Sequence, residues 1–409
     1  METKIIPNYM ETKIDNNAKI YLPEDKIDKD TLALAKDMTK SPVFNQIRIM
    51  PDCHSSSYCC VGMTSLITDK VIPQIVGGDI GCGISCLNLN KVIKEKHYDK
   101  IDNVVKQLVP MGERNHKIPI TNDKIMNSIY EKCNLKLQLL KLKFTDYPFN
   151  DFHYNDNYYK QLITRAKSNV SSNNYLKAMG TLGGGNHYIE FNKEDNGNCY
   201  LTVHCGSRHM GQAICNYHQD KIKNKKNYDR KNFLNNYLEK DELVEYLIDM
   251  IFAQEFASKN RSVIIERICE RIGYEFNENK IIESIHNYID FDKLILRKGA
   301  ISADKNKLCI ISLNMRDGIL ICKGKGNPEW NYSSAHGCGR LMSRRDARLT
   351  FNMKQYKDSM KEVYSSCVCK ETLDEMPDAY KDVKFIKELI GDSVEIVKQL
   401  YPIINIKGY

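Results

Sequence analysis

The apolar positions of this chain change period several times along its length. Residues 44–50 alternate apolar and polar side chains as a half-buried strand does, and apolar runs at 71–76 and 84–89 follow between glycines. Residues 43–90 are therefore predicted to form short strands and tight turns. Residues 96–180 read as mostly helical. Over 125–143 the apolar residues fall at helical spacing, with Ile129, Leu135, Leu139 and Leu140 expected on one side. Strand and loop return over 181–207, at 188–191 and 200–204. A second helical block spans 209–272 and carries a Lys-rich polar patch at 221–231. Residues 295–340 read as strand-rich, most clearly at 308–313 and 318–322, and helices are expected over 343–363 and 380–399. No Pro/Gly/Ser linker and no internal repeat divides the chain. The expectation is one α/β (mixed α+β) domain over 1–409: a strand-rich core with helical blocks inserted at about 96–180 and 209–272.

Composition narrows the class. With 409 residues, 42% hydrophobic and 27% charged, the chain can bury a large core and is not a disordered polymer. Its apolar runs are too short to span a bilayer. Residues 1–20 mix both charges with polar residues instead of opening with a basic-then-apolar signal, so the cytosol is the expected location. Fifteen cysteines, an odd number without zinc-ribbon spacing, argue against a disulfide framework. A cysteine that binds metal here does so singly, among other ligand types. The net charge of +8, from 60 Lys and Arg against 52 Asp and Glu, suits a polyanionic partner without demanding one.

Candidate chemistry sits in glycine-flanked motifs. Asp79 and Cys82, in the run Gly77-Gly78-Asp79-Ile80-Gly81-Cys82-Gly83, place a carboxylate and a thiol three residues apart. That pair suits Mn²⁺, Zn²⁺ or Fe²⁺, because thiolates favour softer cations and carboxylates harder ones. The alternative is a glycine turn with a buried cysteine and a capping aspartate. His187 follows Gly185-Asn186 and His204 precedes Cys205-Gly206; each is a ligand or a satisfied structural histidine. His286 lacks flanking glycines and reads as weaker. His336, in Ala335-His336-Gly337-Cys338-Gly339-Arg340 with Arg344 and Arg345 following, combines a potential nucleophile toward phosphorus with guanidinium forks for phosphate. The other reading is a phosphate-binding turn with a structural histidine. The P-loop and dinucleotide-binding patterns are absent.

Taken in order, these stretches resemble the RtcB family of RNA ligases. The matching segments are Met50-Pro51-Asp52-Cys53-His54, residues 76–83, 180–187 and 204–208, His286-Asn287-Tyr288, residues 297–303, 324–329 and 336–344, and the closing Lys407-Gly408. The resemblance implies two Mn²⁺ ions per chain, with Cys82 bridging both, Asp79 and His187 completing one, and His204 and His286 the other. It implies GTP as the co-substrate and His336 as the residue that becomes guanylylated. Asn186, Glu190, Asn287, Ser312, Asn314, Met315, the His336-Gly337-Cys338-Gly339 turn and Lys407 would hold the nucleotide, and Arg208, Arg340 and Arg344 RNA phosphates. The implied reaction joins RNA 3′-phosphate or 2′,3′-cyclic phosphate ends to 5′-hydroxyl ends, in RNA repair or tRNA splicing. The expected partners are such broken RNAs and an archease-like activator, for a chain that is a monomer or weak dimer.

Two segments depart from the family pattern. Gly-x-Gly after Pro-Asp-x-His is here Ser55-Ser56-Ser57-Tyr58, and a Pro-Gly-Ser-Met turn is here Ser312-Leu313-Asn314-Met315, followed by Arg316-Asp317-Gly318-Ile319. A divergent paralogue with a rewritten nucleotide pocket is expected, reading the base edge differently and discriminating less between nucleoside triphosphates. The alternatives are a metal-dependent RNA-end phosphatase or cyclic phosphodiesterase that has lost ligation, and a non-catalytic RNA-binding protein. The second has no use for the intact ligand set and His336.

Overall fold

A computed structural model describes residues 10–166 and 172–409. It is a mixed α/β structure, as the sequence pattern implies. Among the described residues, the larger sheet has seven strands in the order Ile282–Ile285, Gly83–Asn88, Cys199–Cys205, Tyr188–Lys193, Val394–Lys407, Ile319–Gly324 and Leu308–Ser312. All its pairings are antiparallel. A six-stranded sheet contains Asn45–Ser55, Cys60–Leu66, Asn287–Asp290 and Ile295–Lys298.

Alternation along Tyr188–Lys193 and Val394–Lys407 sorts side chains between two faces. Ile189, Phe191, Ile404 and Ile406 enter an apolar core with Leu201, Val203, Ile264 and Ile268. The other face carries Tyr188, Glu190, Asn405 and Lys407, where Tyr188 pairs with Lys407 and Glu190 with Asn405. A polar, ligand-bearing face lying over an apolar one positions the site.

The 33-residue helix Lys240–Ile272 buries 22 residues, its last turns on this core and the rest in a second, larger one, and ends at Gly273 in the left-handed region that glycine favours (φ 76°). Its Arg261, fully buried, ties the helix to both ligand-bearing segments. The guanidinium donates to the carbonyls of Gly81 (2.7 Å) and Cys205 (2.6 Å) and pairs with Glu283 (2.9 Å). Helices Tyr98–Leu108, Asp123–Lys143, Asp156–Arg165 and Ser172–Ala178 fill the first helical block, whose residues 167–171 lie outside those described. His209–Lys223 and Lys240–Ile272 fill the second.

Four local expectations are corrected. Residues 71–76 are not one strand: only Lys70–Val71 pairs, and Pro73–Val76 forms a helical turn, since Pro73 sets a helical φ and has no N–H for a ladder. In Asp123–Lys143 the buried face is Met126, Ile129, Tyr130, Cys133, Leu137 and Leu140, whereas Leu135 is 72% exposed and Leu139 37%. The helix expected over 343–363 divides into Arg344–Thr350 and Met353–Ser359, each capped by its own Ser343 or Asn352 side chain. The helix expected over 380–399 covers only Val383–Leu389, and the chain then enters the strand Val394–Lys407. Ile319–Gly324 pairs with residues 394–400 and overrides their helix-like apolar spacing.

Candidate active site

The ligand-type residues meet because their motifs end neighbouring strands. Gly83 pairs with Cys205 and with Ile285, and Tyr188 pairs with His204, which brings residues 82, 187, 204 and 286 to one end of the large sheet. Backbone bonds lock the corner: the His286 N–H donates to the Cys82 carbonyl (2.9 Å) and the Gly81 N–H to that of Asn287 (2.8 Å).

Cys82 Sγ lies 3.3 Å from Nε2 of both His187 and His204. His187 Nε2 is 3.1 Å from Asp79 Oδ2, and His204 Nε2 is 3.3 Å from His286 Nε2. All five sequence-predicted ligands thus form one continuous chain of donor atoms, with Cys82, His187 and His204 converging most tightly. Two glycines make the approach possible. A side chain at Gly206 would collide with the Asp79 carboxylate, and one at Gly183 with the His187 ring.

The electrostatics divide the cluster between neutral and proton-holding groups. Burial, then the charge of neighbouring imidazoles, pushes His204 and His286 well below the usual histidine range. Burial, then Asp79, pushes the Cys82 thiol up to about 12. Burial opposes a charge on His187, but Cys82 and Asp79 hold it well above its ordinary value. His204 Nδ1 faces the Asn186 carbonyl at 3.1 Å, which assigns the proton there and frees Nε2. A buried thiol and the neutral imidazoles of His204 and His286 beside a carboxylate fit a divalent cation, which would hold the sulfur as thiolate and take the place of the His187 proton.

His336 stands in the same cleft, its ring centroid 4.9 Å from that of His286. Its Nδ1 is 2.6 Å from Oδ2 of fully buried Asp52. The same oxygen accepts the backbone N–H groups of His336 and Gly337, both at 3.1 Å. The His336 carbonyl accepts from Ser312 N–H (2.9 Å), joining the His336 turn to the rewritten segment.

The cleft is lined by Asp79, Cys82, His204, His286, His336, Asn186, Glu190, Asn287, Ser312, Asn314, Met315, Gly337, Cys338, Gly339, Arg340, Arg344 and Lys407. His187 reaches the cluster without lining the cleft. Arg208 stands apart from the other predicted phosphate contacts: its Nε donates to Thr181 Oγ1 at 3.1 Å and its Nη2 to the Gly112 carbonyl, so it braces the loop beneath His187. Asn314 closes its own turn, its Oδ1 accepting from Arg316 and Asp317 N–H (both 2.9 Å). Met315 is buried against Tyr356.

Several site residues carry no prediction from sequence. Asp52 had a signal, Pro51-Asp52-x-His54, but no role. Glu375, 3% exposed, gathers Lys407 (3.0 Å), Arg344 (2.5 Å) and Arg340 (3.3 Å). Burial works against its charge, yet Lys407 and Arg344 hold its pKa down to about 2. Tyr188, whose hydroxyl meets Ser312 Oγ at 2.8 Å, and Asn405 complete the cleft floor. A lone Asn among Ile403, Ile404 and Ile406 is the signal that marks Asn405.

Comparison with known proteins supplies the family. The family model described as "tRNA-splicing ligase RtcB" matches residues 34–408. The RNA-splicing ligase RtcB of Escherichia coli (strain K12) is 27% identical, over 90% of this chain and 91% of its own length. The tRNA-splicing ligase RtcB of Nanoarchaeum equitans is 26% identical, over 97% and 96%. The RNA-splicing ligase RtcB homolog 1 of Entamoeba histolytica is 24% identical, over 88% and 80%. With the family model spanning nearly the whole chain, this chain belongs to the RtcB family of RNA ligases.

Proposed function

We propose that this chain is a GTP- and Mn²⁺-dependent RNA ligase that joins RNA 3′-phosphate or 2′,3′-cyclic phosphate ends to 5′-hydroxyl ends through a covalent His336–GMP intermediate. The observation that carries the reading is the placement of His336, braced by Asp52, in the cleft that also holds Asp79, Cys82, His204 and His286.

The Asp52 carboxylate beside Nδ1 of His336 favours the proton there and so leaves the lone pair on Nε2. Nε2 attacks the α-phosphorus of GTP; a P–N bond forms and pyrophosphate leaves. An oxygen of the RNA 3′-phosphate then attacks the guanylyl phosphorus, breaking the P–N bond and freeing the imidazole. The 5′-hydroxyl attacks the activated 3′-phosphorus, a phosphodiester forms, and GMP and a proton depart. A cyclic phosphate end is first opened by water to a 3′-phosphate.

Cys82, with Asp79 and His187 to one side and His204 and His286 to the other, would hold the two Mn²⁺ ions, which would neutralise charge on the reacting phosphates. Asn186, Glu190, Asn287, Ser312, the His336–Gly339 turn and Lys407 hold the nucleotide. Arg340 and Arg344 hold RNA phosphate, which would compete with Glu375 for them. The test is to incubate the protein with GTP, Mn²⁺ and an RNA pair bearing a 3′-phosphate and a 5′-hydroxyl. Joined product supports the proposal. Loss of terminal phosphate without joining would replace it with a phosphatase reading.

A further inference from the structure

Asn405 sits on the cleft floor, in register with Glu190 across the pair formed by Tyr188–Lys193 and Val394–Lys407. It is 1% exposed. Its Nδ2 donates to Glu190 Oε2 at 2.6 Å, while Asn192 Nδ2 donates to Glu190 Oε1 at 2.5 Å. Asn405 Oδ1 is buried and has no hydrogen-bond partner among the described residues. With Glu190 ionised, the reverse amide orientation would set Oδ1 against its carboxylate, so the open group is then an acceptor. A buried amide oxygen without a donor is unfavourable, and a ligand N–H relieves that cost.

Three groups on this face form a recognisable edge. Lys407 Nζ is a donor; the Glu190 carboxylate and Asn405 Oδ1 are acceptors. Guanine presents the complement: O6 as acceptor, N1–H and the exocyclic N2 amine as donors. Adenine does not, because its N1 is an acceptor. Asn314, in the 312–319 segment, has its side-chain oxygen occupied by the N–H groups of Arg316 and Asp317 and its Nδ2 by Asp317 Oδ2 (2.7 Å).

We propose that Asn405 is a specificity-determining residue of the nucleotide site, its Oδ1 accepting a hydrogen bond from the exocyclic amine of guanine. The proposal rests on the reading of this cleft as a GTP site. Nδ2 meanwhile holds Glu190 in place for N1–H.

Inosine triphosphate isolates the claim, because it keeps O6 and N1–H and lacks only the amine. Covalent labelling with α-labelled GTP and ITP, across nucleotide concentration and with Mn²⁺ present, gives the ratio of efficiencies. Wild type should favour GTP about tenfold, the worth of one buried hydrogen bond. Asn405→Val should bring the ratio near one. If Asn405 only oriented Glu190, the variant would weaken GTP and ITP alike and keep the wild-type ratio, which overturns the proposal. A wild type indifferent to the amine overturns it as well. Should Asn405→Val fail to fold, Asn405→Ala makes the same test. A folded wild type that labels with neither nucleotide removes the GTP-site reading itself, an outcome distinct from an unchanged ratio.

Discussion

Nδ1 of His336 lies 2.6 Å from Oδ2 of Asp52, a residue 284 positions earlier in the chain. A carboxylate oxygen at that separation favours the tautomer that carries the proton on Nδ1. The other ring nitrogen then holds its lone pair for phosphorus. Asp52→Asn should therefore slow covalent guanylylation roughly 10–100-fold, the usual cost of disturbing a partner that orients a working histidine, while leaving bound Mn²⁺ unchanged. Single-turnover labelling alongside metal analysis checks this, and unaltered labelling would remove Asp52 from the account.

Cys82 touches both His187 and His204. Cys82→Ala should abolish activity and lower bound Mn²⁺, whereas His286→Ala, at the end of the donor chain, should spare part of the metal. Metal content of the purified variants decides the matter; undiminished Mn²⁺ in Cys82→Ala contradicts a bridging thiolate.

Burial raises Glu190 to about 7, against hydrogen bonds from Asn405 and Asn192 and the charge of Lys407. The folded protein thus keeps a proton that an exposed glutamate loses near its ordinary 4.5. Between those values the folded state binds more protons than the unfolded, so this group's contribution to stability falls as pH rises from 4.5 to 7. Accepting from guanine N1–H requires the carboxylate, so affinity for GTP should increase with pH through about 7. Glu190→Gln should flatten that rise. The GTP dependence of labelling from pH 6 to 8 in both proteins tests it, and parallel profiles would argue for another titrating group.

Arg261 holds the carbonyls of Gly81 and Cys205 and pairs with Glu283. Arg261→Met strips the partner from a largely buried carboxylate and from two carbonyls, at a cost of about 3 kcal/mol in chemical denaturation. Bound Mn²⁺ should fall with it, because both carbonyls belong to ligand-bearing segments. A variant as stable as wild type would show that Arg261 does not anchor the corner.

The sequence made the cleft legible where chemistry is local. Gly183 and Gly206 flag the tight packing around His187 and Asp79, and the alternation over 188–191 and 200–204 marks the strands that carry Glu190 and His204. What it hid depends on distant partners. Residues 394–399 carry apolar spacing that passes for a helix until Ile319–Gly324 pairs with them. Asp52 acquires its role only when residue 336 folds against it, and Arg208 is drawn inward by Gly112 and Thr181. Leu135 looks like part of a buried stripe because the packing face of Asp123–Lys143 is set by the helix Lys240–Ile272 it lies on.

The most direct test of the central claim is His336→Ala given two substrates. Covalent label from α-labelled GTP, acid-labile and base-stable as a P–N bond is, should form on wild type and vanish in the variant, with Mn²⁺ content and fold retained. Joining of RNA with a plain 3′-phosphate should vanish too, while RNA already carrying guanylate on its 3′-phosphate should still be joined, since that substrate bypasses the histidine. Failure of the folded, metal-loaded variant on the guanylate-capped RNA, or persistence of the label without His336, would contradict guanylate transfer through this residue.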